Sequence, residues 1–349
     1  MRSGSVGPTR ERYGRLIARD LPIHSPSRDQ VERTRLWQLI TSLHEDGVIS
    51  GDIGEAHAFQ RWSVDNIETF WAAIWRSAGI VAEGPGSPKA PWKEVLVGGD
   101  RMAPPAPGLG PSWFTETRLN FAEHLLRRRD DGVAIVAWNE DGRHMRVTYT
   151  ALARRVAQLQ AAFEAAGVRS GDRVAGWMPN IPDTVAAMLA ASSIGAIWSS
   201  CSPDFGTQAV LDRFAQIAPR ILIAASGYRY AGKLIDCMPR LAQIVAALPS
   251  VEQTWVVPYT VPPVNIEAIS NARLVDDVLQ PFGELSSPTF ERLPFDHPLY
   301  ILYSSGTTGL PKCIVHGAGG TLLQHWKEHA LHTDLSSDDR LFYYTRVGG

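Results

Sequence analysis

Between residues 132 and 225, short runs of β-branched and aromatic residues alternate with longer stretches whose apolar positions recur every three or four residues. The short runs Val133–Trp138, Arg173–Met178, Ala196–Ser199 and Ile221–Ala225 read as strands. The longer stretches predict helices over Ala151–Ala166, introduced by Thr148 as N-cap, over Pro182–Ile194 and over Gln208–Ile217. Such alternation predicts an α/β fold of mostly parallel β-sheets flanked by helices, with ligands gathering at the strand ends. Nearer the N-terminus, Trp37–His44 and Asn66–Trp75 carry helical spacing, and Ile67, Phe70, Trp71 and Ile74 share one face. Glu83–Pro111 is rich in Pro and Gly and reads as an extended connector. The chain thus divides into a mobile tail (1–34), a helical region with its connector (35–111) and a main domain (112–349).

Composition narrows the class. A chain of 349 residues with 44% apolar content can bury a sizeable core. Its 34 basic against 36 acidic residues lack the electrostatic footprint of a nucleic-acid or anionic-membrane binder, so any anion site must be local. The apolar stretch Val185–Trp198 is broken by Ser192, Ser193 and Gly195, and reads as a buried helix running into a strand rather than a membrane span. The first thirty residues hold six arginines but no apolar signal core, and Glu11, Asp20 and Asp29 argue against a transit peptide. Cys201, Cys237 and Cys313 are scattered without a CxxC pair, which fits a reducing cytoplasm.

The candidate chemistry sits in Tyr303–His316, YSSGTTGLPKCIVH, entered from the apolar run Leu299–Tyr303. Ser304, Ser305, Thr307 and Thr308 offer hydroxyls, Gly306 and Gly309 free the backbone amides to face an anion, and Lys312 adds a compact positive charge. That combination suits a nucleotide triphosphate. The spacing is not that of a Walker loop, and Pro311 disfavours a direct run into a helix; a glycine-rich hairpin turn stays open as the plainer reading. Gly227–Leu234 nearly matches the Walker pattern but ends in Leu234, which has no hydroxyl for Mg²⁺. His325, Glu328 and His329 spell H-x-x-E-H, yet few residues remain downstream to supply a third zinc ligand, so the segment reads as an amphipathic helix and no metal site is assigned. Asp334–Arg340 reads as a polar turn before a strand at Leu341–Tyr344.

Ser304–Lys312, SSGTTGLPK, resembles the phosphate loop of the adenylate-forming enzymes, the superfamily of acyl-CoA synthetases, luciferases and peptide-synthetase adenylation domains. Arg61–Ile80, Trp113–Leu125, Gly171–Asn180 and Trp198–Gly206 extend the likeness toward its acetoacetyl-CoA synthetase branch, with acetate- and propionate-activating relatives the nearest competitors. The resemblance implies an incomplete large N-terminal, AMP-binding domain of that fold over residues 112–349, small-molecule partners (acetoacetate, ATP with Mg²⁺, and CoA) and neither nucleic acid nor membrane. It implies that Ser304, Ser305, Gly306, Thr307, Thr308, Gly309 and Lys312 hold the ATP phosphates, and that Gly232 and Lys233 meet CoA, although Tyr230 replaces a cation of the family pattern. The family's catalytic lysine falls beyond Gly349, and Arg346 and Val347 depart from the family's Gly-Trp-Met continuation. By that reading the chain is truncated and completes neither half-reaction alone.

Overall fold

The computed structural model describes residues 25–50, 56–101, 110–140, 142–259, 264–304, 309–343 and 345. It divides into two compact units, one of Met1–Arg61 with Glu328–Asp339 and one of Trp62–Lys327 with Arg340–Gly349. In the first unit, Ser27 closes a capping box on a short helix, Arg28–Glu32. This helix lies within the stretch read as a tail. The next helix, α1 (Arg35–Glu45), is capped by Thr34 and buries Leu39, Ile40 and Leu43. Its first amide donates to the Asp334 carboxylate at 3.0 Å.

The second unit is built on a seven-stranded sheet. In chain order its strands are β3 (Arg173–Trp177), β4 (Ile197–Cys201), β5 (Ile221–Ala225), β8 (Gln253–Val257), β9 (Ala272–Leu274), β10 (Pro298–Ser304) and β11 (Lys312–Gly317). In space the order is β9-β8-β5-β3-β4-β10-β11. All neighbours pair parallel except β10 and β11, which form an antiparallel hairpin. All five residues of β5 are buried, as expected of a strand covered on both faces.

The covering helices explain that burial. On one face α3 (Tyr149–Ala165), capped by Thr148, packs beside α4 (Pro182–Ser193), which starts at proline and is rich in alanine where the helices approach. Their apolar faces share a core in which the Phe163 and Trp255 rings stack at 5.0 Å. On the other face α5 (Thr207–Ile217) and α6 (Met238–Ala246) bury Phe214, Leu241 and Ile244 against the sheet. Two further hairpins stand outside the sheet: β1 (Val133–Asn139) with β2 (Gly142–Thr148), and β6 (Gly227–Tyr230) with β7 (Lys233–Asp236).

Two expectations change. The described part of Glu83–Pro111 does not simply extend: Leu96–Val97 pairs antiparallel with Ser112–Trp113, and Gly86 bonds back to the Pro91 carbonyl at 3.0 Å. The glycines and prolines there make tight returns that bring Trp92 against Trp75 and Phe114. The strand expected at Leu341–Tyr344 is not formed over Leu341–Tyr343, whose side chains are exposed; an apolar run without ladder pairing has no reason to hold the strand conformation. The near-Walker segment Gly227–Leu234 is a hairpin, in keeping with its reading as a turn rather than a nucleotide loop.

Candidate functional site

Topology locates the functional edge before any motif is used. The chain leaves β3 for α4 on one face of the sheet and leaves the adjacent β4 for α5 on the other, which opens a crevice at the C-terminal ends of those two strands. The loops Met178–Ile181 and Ser202–Gly206 border it. β10 runs parallel to β4 and ends at the same edge, at Ser304. The cradle residues therefore emerge beside the switch point.

Ser304 and Lys312 face each other across the last rung of the β10–β11 hairpin, so the cradle loop is a hairpin connection and its lysine begins the return strand. The strand pairing is that of the plainer reading, a hairpin. Ser305, Gly306, Thr307 and Thr308 lie outside the described residues. Gly309 has φ +139, a backbone setting that side-chain-bearing residues avoid, and Lys312 is exposed.

Several residues that the sequence did not single out fix this hairpin to the crevice. Ser199 Oγ donates to the Ile301 carbonyl at 2.9 Å and lies 3.0 Å from the Tyr303 hydroxyl, whose burial holds it protonated far above the ordinary phenol range. The Arg213 guanidinium, on α5, sits 4.7 Å from the Phe205 ring and 5.6 Å from that of Tyr303. It thereby links the Ser-Pro-Asp-Phe-Gly loop to the residue before Ser304. One turn on, Gln216 Nε2 donates to the Pro311 carbonyl at 2.9 Å, and the Cys313 thiol donates weakly to Gln216 Oε1 at 3.6 Å. The helical i, i+3 spacing of Arg213 and Gln216 was visible in the sequence; their target across the sheet was not. Burial pushes the Cys201 thiol up to about 12, which makes it a packing residue rather than a nucleophile.

Gly232 and Lys233 belong to the turn and return strand of the β6–β7 hairpin, which springs from the C-terminal end of β5. With β3 and β4 between them, β5 and β10, the strands that lead into the two hairpins, stand roughly 14 Å apart in the sheet. The turn residues Ala231 and Gly232 both have positive φ, +51 and +73. Their amides donate to the two carboxylate oxygens of Glu140 at 2.7 and 2.6 Å.

The donor set at this edge is hydroxyl, amide and cation, which suits phosphate oxygens. Among the described residues no three His, Cys, Asp or Glu side chains gather as a metal-binding group. The H-x-x-E-H residues straddle the change from the helix Ala318–Trp326 to a π-helical stretch, Lys327–His332. A groove of about 960 Å³ lies at the far end of the β10–β11 hairpin, lined by Trp113, Phe114, Tyr300, His316 and Gln324. Tyr300 pairs with His316, four residues down each strand from Ser304 and Lys312, which sets these groove residues apart from that end of the hairpin.

Residues 121–347 match the profile of the AMP-binding enzymes. An acetoacetyl-coenzyme A synthetase of Rhizobium meliloti (strain 1021) is 44% identical over 328 residues, 94% of this chain and 48% of that protein. A malonamoyl-CoA synthetase of Penicillium aethiopicum is 38% identical over 324 residues, 89% of this chain and 43% of that protein. Among solved structures, an acetoacetyl-CoA synthetase from Streptomyces lividans shares the fold with a TM-score of 0.84 and 37% identity, over 94% of this chain and 48% of that one. The chain spans about half the length of the curated relatives it matches.

Proposed function

The chain belongs to the AMP-binding enzymes, and from that membership we propose that it carries the nucleotide-handling part of an acid–thiol ligase converting acetoacetate to acetoacetyl-CoA. One observation carries the reading: a hydroxyl- and glycine-rich loop ending in Lys312 closes a hairpin at the C-terminal edge of a parallel sheet, beside its switch point. The reaction has two halves. A carboxylate oxygen of the acid attacks the α-phosphorus of ATP, the bond to pyrophosphate breaks, and the acyl-adenylate forms. The CoA thiol then attacks the acyl carbon and AMP leaves.

The first half is governed by charge. Lys312 with the hydroxyls and amides of Ser304–Gly309 holds the β- and γ-phosphates and offsets negative charge that grows on departing pyrophosphate. Mg²⁺ carried by ATP would supply further positive charge to the phosphates that Lys312 faces. Gly232 and Lys233, at the second hairpin of the same edge, receive the nucleotide end of CoA. No described helix is long and apolar enough to cross a bilayer, and a cytoplasmic site of action fits the three free thiols.

The acid is specified by class. The two named activities among the relatives, acetoacetyl and malonamoyl activation, share a carbonyl two bonds from the carboxyl group. A site that hydrogen-bonds that carbonyl is left with an unpaired polar group when acetate binds, so acetate is the poorer substrate. The test is acid-dependent exchange of pyrophosphate into ATP, with this chain joined to the carboxy-terminal half of the Rhizobium relative. We expect acetoacetate to exceed acetate by at least about tenfold in kcat/KM, with malonamate as the informative second acid. Equal use of acetate would move the protein to the acetate-activating branch.

A further inference from the structure

The turn that joins β6 to β7 already holds an anion, and that anion is the protein's own. Glu140 lies at the tip of the β1–β2 hairpin, 91 residues earlier in the chain, and sets one carboxylate oxygen on the Ala231 amide and the other on the Gly232 amide. In a two-residue hairpin turn these are the amides that the ladder leaves unused, and the positive φ of both residues turns them outward together. Exposed cations stand on the same hairpin: Arg229 is cross-strand from Leu234, and Lys233 from Tyr230. Of these only Lys233 adjoins Gly232, since successive cross-strand pairs alternate between the two faces of the hairpin; two consecutive amides beside that cation can take an oxyanion, and a phosphate meets the same donors as a carboxylate.

We propose that Glu140 is an internal competitor for this turn, so that a phosphate group of CoA docks on the Ala231 and Gly232 amides by displacing the Glu140 carboxylate. The inference rests on the reading that CoA meets Gly232 and Lys233, and it adds how that contact is regulated. Glu140 and both turn residues are exposed, so water screens the latch and its release costs little. A phosphate monoester carries more charge than the carboxylate and has Lys233 next to the turn, which makes the exchange favourable. The latch keeps the turn in shape while it is empty of ligand, and it discriminates against weak anions.

The experiment measures binding of CoA and of 3′-dephospho-CoA to the whole chain by titration calorimetry, for the unaltered protein, Glu140→Gln, Glu140→Asp and Lys233→Ala. Glu140→Gln removes the charge, and Glu140→Asp keeps it on a stem one methylene too short to span both amides. Both are expected to tighten CoA about three- to tenfold, because the ligand no longer displaces a charged occupant. Lys233→Ala is expected to weaken CoA. A smaller change for the dephospho form assigns the 3′-phosphate to the turn, whereas an equal change assigns the shared diphosphate. Should Lys233→Ala weaken CoA while both Glu140 variants bind it unchanged or more weakly, the competition is refuted and Glu140 is only a strut. No effect from any variant, or no CoA binding at all, refutes the turn as a CoA contact together with the competition.

Discussion

Asn120 shows how much one side chain can carry. Its side-chain nitrogen donates to the Ser193 and Glu291 carbonyls, both at 2.9 Å, and reaches that of Ser192 at 3.3 Å. Its oxygen accepts from the Ala122 and Glu123 amides, capping the helix Phe121–Leu125. The residue is fully buried. Asn120→Ala leaves those groups without partners and should lower stability by about 3 kcal/mol, read as a shift of the urea midpoint; a change under about 1 kcal/mol would contradict the bonding described. Asn120→Asp should be no better, since a carboxylate cannot donate. The sequence displayed Asn120 inside a recognisable motif but not its job, because its partners lie up to 171 residues away. His124, one turn on, is similar. It accepts from the Val81 amide through Nε2 at 2.9 Å and sits 2.8 Å from the Asn120 carbonyl through Nδ1, which fixes the neutral ring. Burial, the largest influence, pushes its pKa down to about 4. The unfolded chain therefore binds this proton at a higher pH than the folded one. Stability that is complete above pH 6.5 should fall as pH drops toward about 4, by on the order of 3 kcal/mol, and His124→Gln should flatten that slope in thermal melts.

At the scale of elements, what could be read was whatever carried its own period. The helices α3, α4 and α5 end within a residue or two of the expected positions, because their caps and apolar spacing are local. Strands β3, β5 and β10 follow for the same reason. β9 has only three residues, too few for any pattern, and β2, Gly-Arg-His-Met-Arg-Val-Thr, gains its strand from pairing with β1 rather than from its own polarity. β11 exposes Ile314 and Val315 and was not separable from the loop before it. The link between α5 and that hairpin makes a prediction at this scale. Gln216→Ala removes the contact to the Pro311 carbonyl and should speed amide hydrogen exchange in β11, at a stability cost of only about 0.5–1 kcal/mol because the bond is exposed. Unchanged exchange in β11 would show that α5 does not hold the hairpin.

For the whole molecule, the parallel sheet does what no single motif can: it brings the loop after β4, the hairpin after β5 and the hairpin begun by β10 to one edge. Residues 202–206, Gly227 and Ser304 are brought to that edge by strand order, which periodicity alone does not reveal. The central claim is that the Ser304–Lys312 hairpin loop handles the triphosphate. Acetoacetate-dependent exchange of pyrophosphate into ATP, compared between Lys312→Ala and the unaltered chain in the same fusion to the carboxy-terminal half of the Rhizobium relative, tests it directly. Loss of one charge-assisted contact to a departing phosphate should cost about 1.5–3 kcal/mol, a fall in rate of roughly ten- to a hundredfold with the fold intact by thermal melting. An exchange rate unchanged by Lys312→Ala would contradict the account and remove the hairpin loop from the chemistry.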